Sequence, residues 1–172
     1  MYLTQIGKDA NKTATHIEFE KVADDLLMVS LDNDINDQAQ VFSYWRMLGN
    51  GGNPPLEVGI NTETGTIKSI TFFVDLDCFK EFRFPYKNIL LGNILVDSSI
   101  FSKANDYVNS QGSYFVALDG NRFMCEFNEK CDIKEIIVNE NIEFYMDGNN
   151  QLRGFAINKL TDSEIKKIRS LL

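Results

Sequence analysis

A chain of 172 residues is close to the size at which one domain buries about 70% of the surface its unfolded form exposes, so a single core suffices. Hydrophobic residues make up 44% of it, with 13 Phe and 6 Tyr, which excludes a disordered chain. Seventeen basic against 25 acidic residues leave a net charge of −8; this argues against a nucleic-acid reader, which must neutralise phosphates with Lys and Arg, and favours a basic partner.

From Met1 to Thr15, Lys8, Asp9, Asn11 and Lys12 interrupt isolated apolar residues, so the apolar centre of a secretory signal is missing. The most apolar windows, Ile70 to Val74 and Ile89 to Val96, fall short of the ~18–20 residues that cross a bilayer. Cys78, Cys125 and Cys131 form an odd set without CxxC spacing, so reduced cytosolic thiols are expected rather than disulfides or a zinc site. A cytoplasmic protein without membrane association is the expectation.

Ile17, Phe19 and Val22, the polar Ala23-Asp24-Asp25, and the run Leu26 to Leu31 predict a hairpin. Val41, Trp45 and Leu48 then recur at i, i+4 and i+7, with Asp34 or Asn36 as an N-cap and Gly49 as the stop, which predicts a helix. A strand through Phe42 to Met47 is the rival, because aromatic residues favour sheets. Asn50 to Pro55 stacks turn formers on two prolines and must be a loop.

A second hairpin follows. Val58 and Ile60 alternate with polar neighbours, Glu63-Thr64-Gly65 turns, and Ile67, Ile70, Phe72 and Val74 return. The three-residue step from Ile67 to Ile70 requires a bulge at Lys68 or Ser69 to keep one apolar face. Leu76 to Val96 carries no regular pattern, although Phe79, Phe82 and Phe84 lie close together before Pro85. After Asp97 and Ser98, the residues Phe101, Ala104 and Tyr107 or Val108 are spaced for a helix ending at Gly112.

The hairpin signal is clearest over Tyr114 to Phe127, where Asp119-Gly120 separates two alternating runs. Strands at Ile133 to Val138 and from Ile142 follow, the latter turning at Asp147-Gly148-Asn149-Asn150 into Leu152, Phe155 and Ile157. A C-terminal helix closes the chain: Thr161 and Glu164 form a capping box, Ile165, Ile168 and Leu171 an apolar stripe, and Lys166, Lys167 and Arg169 sit at the negative end of its dipole. The spacing Ile67-Ile70-Phe72 matches Leu152-Phe155-Ile157, as a duplication would leave it; two independent bulged hairpins would leave the same trace.

No motif carries catalysis. Asp32, Asp34 and Asn36 open like a calcium loop, but Asp37 stands where the turn glycine belongs and Ser43 where the bidentate Glu belongs. The Gly49 to Asn53 loop lacks the Lys-Ser or Lys-Thr of a phosphate loop. His16 is the only histidine, and Cys125 falls on the apolar side of a strand. Asp75 and Asp77 at a strand end fit solvation and turn formation better than a two-carboxylate cleft. Neither a metal nor a cofactor is expected. Tyr44, Trp45 and Arg46 combine residue types enriched at protein interfaces, with core burial of the tryptophan as the alternative.

The segment Val58-Gly59-Ile60 with Thr64-Gly65-Thr66-Ile67-Lys68-Ser69-Ile70 resembles a pattern of small bacterial immunity proteins, which protect a cell from polymorphic toxins of the contact-dependent inhibition type. The resemblance carries over no site residue. It implies an acidic, cytosolic, non-catalytic protein that occupies a toxin's active surface.

The expectation is an α+β fold, a mostly antiparallel sheet built from hairpins with two or three short packing helices, forming one domain over 1–172 or two similar halves, about 1–96 and 97–172. The function expected is binding of a basic toxin domain, with Asp32, Asp34, Asp37, Tyr44, Trp45, Glu140 and Glu143 as candidate contacts. The rival is a small-molecule binder or unrecognised enzyme with a pocket between sheet and helices, lined by Phe79, Phe82 and Tyr86.

Overall fold

The computed structural model describes residues 3–9, 14–33, 42–49, 52–84, 88–103, 106–127 and 132–171. Among these residues, fourteen strands and one α-helix follow in chain order. The strands are β1 (Gln5–Asp9), β2 (Thr15–Ala23), β3 (Leu26–Asn33), β4 (Phe42–Leu48), β5 (Leu56–Asn61), β6 (Ile67–Val74), β7 (Ile89–Leu91) and β8 (Asn93–Val96). Then come β9 (Tyr107–Gln111), β10 (Tyr114–Asp119), β11 (Arg122–Phe127), β12 (Ile133–Asn139), β13 (Ile142–Asp147) and β14 (Leu152–Ile157), before α1 (Asp162–Arg169).

Two six-stranded sheets carry the fold, in the orders β2-β3-β6-β5-β4-β9 and β10-β11-β14-β13-β12-β7. The two orders are the same route: a hairpin, a strand set apart from it, and two strands that return to meet the hairpin. Each sheet is completed by a parallel strand. β9 lies beside β4 in the first sheet, and β7 beside β12 in the second. Chain order interlocks them, because β7 leaves the first set of strands to join the second sheet, whereas β9 precedes the second set and joins the first.

The bulge expected in the second hairpin is at Lys68. Gly59 pairs with Ser69 and Ile60 with Ile67, so Lys68 has no partner opposite it, and Ile67, Ile70, Phe72 and Val74 all face inward. The same device recurs at Arg153, skipped between the pairs Tyr145–Gly154 and Met146–Leu152. Each turn is capped by an Asx side chain: Asn61 Oδ1 accepts from the Glu63 and Thr64 N–H groups, and Asp147 Oδ1 from those of Asn149 and Gln151.

The inner faces stack into one core. Trp45 lies 5.9 Å from Phe127, and Phe72 meets Phe155 at 5.4 Å and Phe123 at 6.3 Å, so rings from both sheets interdigitate. A fully buried aromatic or aliphatic side chain contributes about 1.5–3 kcal/mol, and most of this core is that deeply buried. Tyr114 ties the sheets with polar bonds, its hydroxyl donating to Phe73 O at 2.5 Å and accepting from Phe73 N at 3.2 Å. Burial pushes that phenol far above its ordinary pKa. The β1–β8 ribbon closes one end against both capped turns, through Val96 N to Gly65 O and Gln5 N to Asn150 O.

Among the described residues, strands stand where two helices were expected. Residues 34–41 lie outside the described structure, and Phe42–Leu48 is a strand whose burial alternates with period two. Tyr107–Gln111 is likewise a strand, preceded by a single 3-10 turn at Ser98–Ile100. The helical spacing of Val41, Trp45 and Leu48 is overridden because these two strands pair with each other and complete a sheet. Among the described residues the one α-helix is the C-terminal one, with its capping box formed by Thr161 and Glu164. The fold is strand-dominated rather than furnished with two or three helices.

Candidate functional site

Strand alternation decides which side chains leave the core. In the first sheet, the pairs His16–Asp32, Asp32–Ser69, Ser69–Gly59, Gly59–Tyr44 and Tyr44–Tyr107 form one row across all six strands. Glu18, Ser30, Thr71, Glu57, Arg46 and Asn109 form the next. Both rows lie on the outer face, opposite the core.

This face is polar and divided. Glu18, Glu20 and Asp32 are exposed on the β2–β3 side of this face, and the exposed Asp24 and Asp25 occupy the hairpin turn, at the opposite end of β3 from Asp32. Lys21 reaches Asp24 at 3.7 Å, but both groups are solvated and such a pair contributes little. At the far end Tyr44 stacks on Tyr107, with centroids 5.4 Å apart and planes 16° from parallel. The Arg46 guanidinium lies 3.7 Å from the Tyr107 centroid while its Nε meets Glu57 at 2.6 Å. Small residues, Ser30, Ser69 and Thr71, floor the space between.

Of the expected contact residues, the structure brings Asp32 and Tyr44 onto this face, three strand steps or ~14 Å apart. Trp45 is not a contact: alternation turns it inward, where it is fully buried. Glu143 is not free either. It sits on the outer face of the second sheet, buried, bonded by Arg122 and by the Tyr145 hydroxyl. Glu140 is exposed in the β12–β13 turn, so these two glutamates form no shared acidic surface. Asp34 and Asp37 lie outside the described residues, as does most of the calcium-like segment. Glu18 and Glu20, which are not among the expected contacts, share this face, and their period-two spacing with His16 is a legible sign of an open strand face.

The outer face of the second sheet is covered instead. Residues 79–84 cross it, with Phe84 stacked on Tyr145 at 3.8 Å and Phe82 against Phe84. Between this strap and β10–β11 runs a groove of about 680 Å³, walled by Phe79, Phe82, Ala117, Leu118 and Met124. Tyr86, the third expected wall residue, lies outside the described structure. A smaller cleft of about 310 Å³ holds Asp75, Asp77, Cys78 and Asn53. Burial would raise the Asp75 carboxyl, but hydrogen bonds from Asn53 at 2.6 Å and Cys78 N at 3.1 Å outweigh it and hold the pKa below the ordinary value. That carboxylate is engaged in capping the 3-10 turn at Leu76–Cys78.

Cys125 is fully buried, and burial pushes its thiol well up, so it is no thiolate nucleophile. Among the described residues no three His, Cys, Asp or Glu side chains are grouped to hold a metal, and no helix is long and apolar enough to cross a membrane. No protein-family model matches the chain and no curated protein matches it, so the site stands on its own geometry.

Proposed function

We propose that this is a non-catalytic, cytosolic binding protein, an immunity-type inhibitor that receives a basic toxin domain on the outer face of its first sheet. The observation that carries this reading is the exposed carboxylate side of Glu18, Glu20 and Asp32, set on a six-stranded face with a Tyr44–Tyr107–Arg46 platform opposite. A net charge of −8 steers a basic protein towards that side. Tyr and Arg are the residue types that anchor interfaces once they arrive.

The test begins with a stoichiometric protein partner recovered by co-purification from the native host. Charge reversal by E18K, E20K and D32K together should slow association about tenfold and flatten its salt dependence. E140K, on a turn of the other sheet, should leave the on-rate within about twofold. Equal effects from the two sets would overturn the docking face.

The groove favours a second reading, a small-molecule binder, since about 680 Å³ is the size of a site for a drug-sized ligand and Phe79 and Phe82 wall it. Native mass spectrometry of the purified protein discriminates: a retained ligand, released by F82A but not by E18K, moves the function to the groove.

A further inference from the structure

Two sheets present four edges; two of them are covered and a third is short. At β2, Lys167 of α1 donates to Phe19 O at 3.0 Å, and Glu18, Glu20 and Lys21 place charge along the strand. At β10, the strap takes the edge, with Lys80 N donating to Val116 O at 2.9 Å and Phe79 bridging Val116. β7 is uncovered, with Ile89 and Leu91 exposed, but at three residues it is too short to seat a partner strand. The fourth edge, β9, is five residues of Tyr-Val-Asn-Ser-Gln, with neither charge nor proline, and no described strand lies beyond it.

The backbone parity of β9 is fixed by two bonds, Tyr44 N to Asp106 O at 2.9 Å and Gly112 N to Leu48 O at 3.0 Å. In a parallel ladder that assigns the even residues, 106 to 112, to β4. Tyr107, Asn109 and Gln111 therefore direct their main-chain groups away from the sheet. Asp106 Oδ1 already accepts from Tyr107 N at 2.9 Å. The outward groups of Asn109 and Gln111 belong to exposed residues, and Tyr107 beside them is 50% exposed.

We propose that this edge is a self-association strand: two copies pair antiparallel, β9 to β9, about a two-fold axis at Asn109, joining two six-stranded sheets into one. Asn109 exchanges a reciprocal pair of main-chain bonds with its copy, and each Gln111 N–H reaches the Tyr107 carbonyl across the axis. No charged residue of β9 is set against its copy. The acidic residues on β2 are five strands from β9, ~24 Å, well beyond the ~8 Å screening length at physiological salt, so those carboxylates are screened at this edge. Pairing through β2 would instead set Glu18 and Glu20 near their own copies. A five-strand-residue contact lies below the ~1,200 Å² of a permanent interface, so a reversible dimer is expected, with a dissociation constant of roughly 10–100 μM. The proposal is independent of the toxin-binding reading.

Sedimentation velocity of the full chain from roughly one-tenth to ten times that constant, at physiological salt, should show a monomer–dimer equilibrium. Amide exchange at Asn109 and Gln111 should slow at the high concentration. N109P removes an outward N–H that β4 does not use, and should abolish the dimer while leaving the melting temperature within a few degrees. N109A should keep the dimer within about threefold, because the contact is main-chain. If proline unfolds the chain, N109K serves, since it sets two like charges opposite each other on an exposed strand. A protein monomeric at every concentration overturns the proposal and leaves the edge to solvent or to another protein's strand. So does a dimer that survives both N109P and N109K, or one lost equally in N109A.

Discussion

Asp147 performs two tasks with one carboxylate. Its Oδ1 caps the β13–β14 turn and its Oδ2 holds the Nε of Arg153, the bulged residue, at 2.8 Å. Burial would raise this carboxyl, but the N–H groups of Gln151 and Asn149 and the Arg153 side chain outweigh it, so its pKa lies below the ordinary value. The folded state therefore binds fewer protons than the unfolded state near the unfolded pKa of ~3.9. The stabilisation is complete above that pH and is lost as pH falls through the folded pKa. Asn61 caps the equivalent turn of the first sheet as a neutral amide, so Asp147→Asn keeps a cap and loses the ion pair. It should cost about 1–3 kcal/mol at pH 7, and the gap between variant and wild type should narrow in urea titrations near pH 3. An equal gap at both pH values would show that the charge is not what matters.

At the scale of elements, local signals were legible and long-range ones were not. The hairpin β10–β11 shows why: Gly120 stands at the first central position of a two-residue turn with φ +62°, and its flanking strands alternate in the sequence itself. A Cβ there would meet nothing within 4 Å, so Gly120→Val tests backbone strain alone and should cost about 1–2 kcal/mol, with Gly120→Asn milder. An unchanged denaturation midpoint in the valine variant would mean that the turn relaxes freely. The Lys68 bulge and the Thr161 capping box were readable for the same reason, each resting on residues a few positions apart. β4 and β9 were not. Their strand character comes from pairing with each other across the chain, whereas the window Val41, Trp45 and Leu48 satisfies a helical period just as well. The candidate site shares this divide. Tyr44 could be guessed at an interface from its neighbours, but its place in one row with Asp32 depends on the register of four strands, which no local pattern encodes.

For the whole molecule, the two sets of strands have the same order, the same bulged hairpin and the same capped turn, yet they are not separable units. A fragment of residues 1–96 would carry β7 without its partner β12 and would lack β9. A fragment of residues 97–172 would carry β9 without β4 and lack β7. Each would also expose an inner face built around rings that now pack across the sheets, Trp45 on Phe127 and Phe72 on Phe123 and Phe155. At about 25 cal/mol per Å² of apolar surface, exposing such a face removes far more than the ~5–15 kcal/mol of net stability typical of a domain. Neither fragment should therefore fold alone, and the full chain should unfold in a single transition, with circular dichroism melting together with the fluorescence of Trp45, which is carried by the first sheet and packs on Phe127 of the second. Mixing the fragments should restore sheet signal, because the crossed strands then find their partners. Two resolved transitions, or a dispersed amide spectrum from either fragment alone, would show that the crossing of β7 and β9 decorates two independent sheets rather than binding them into one cooperative unit.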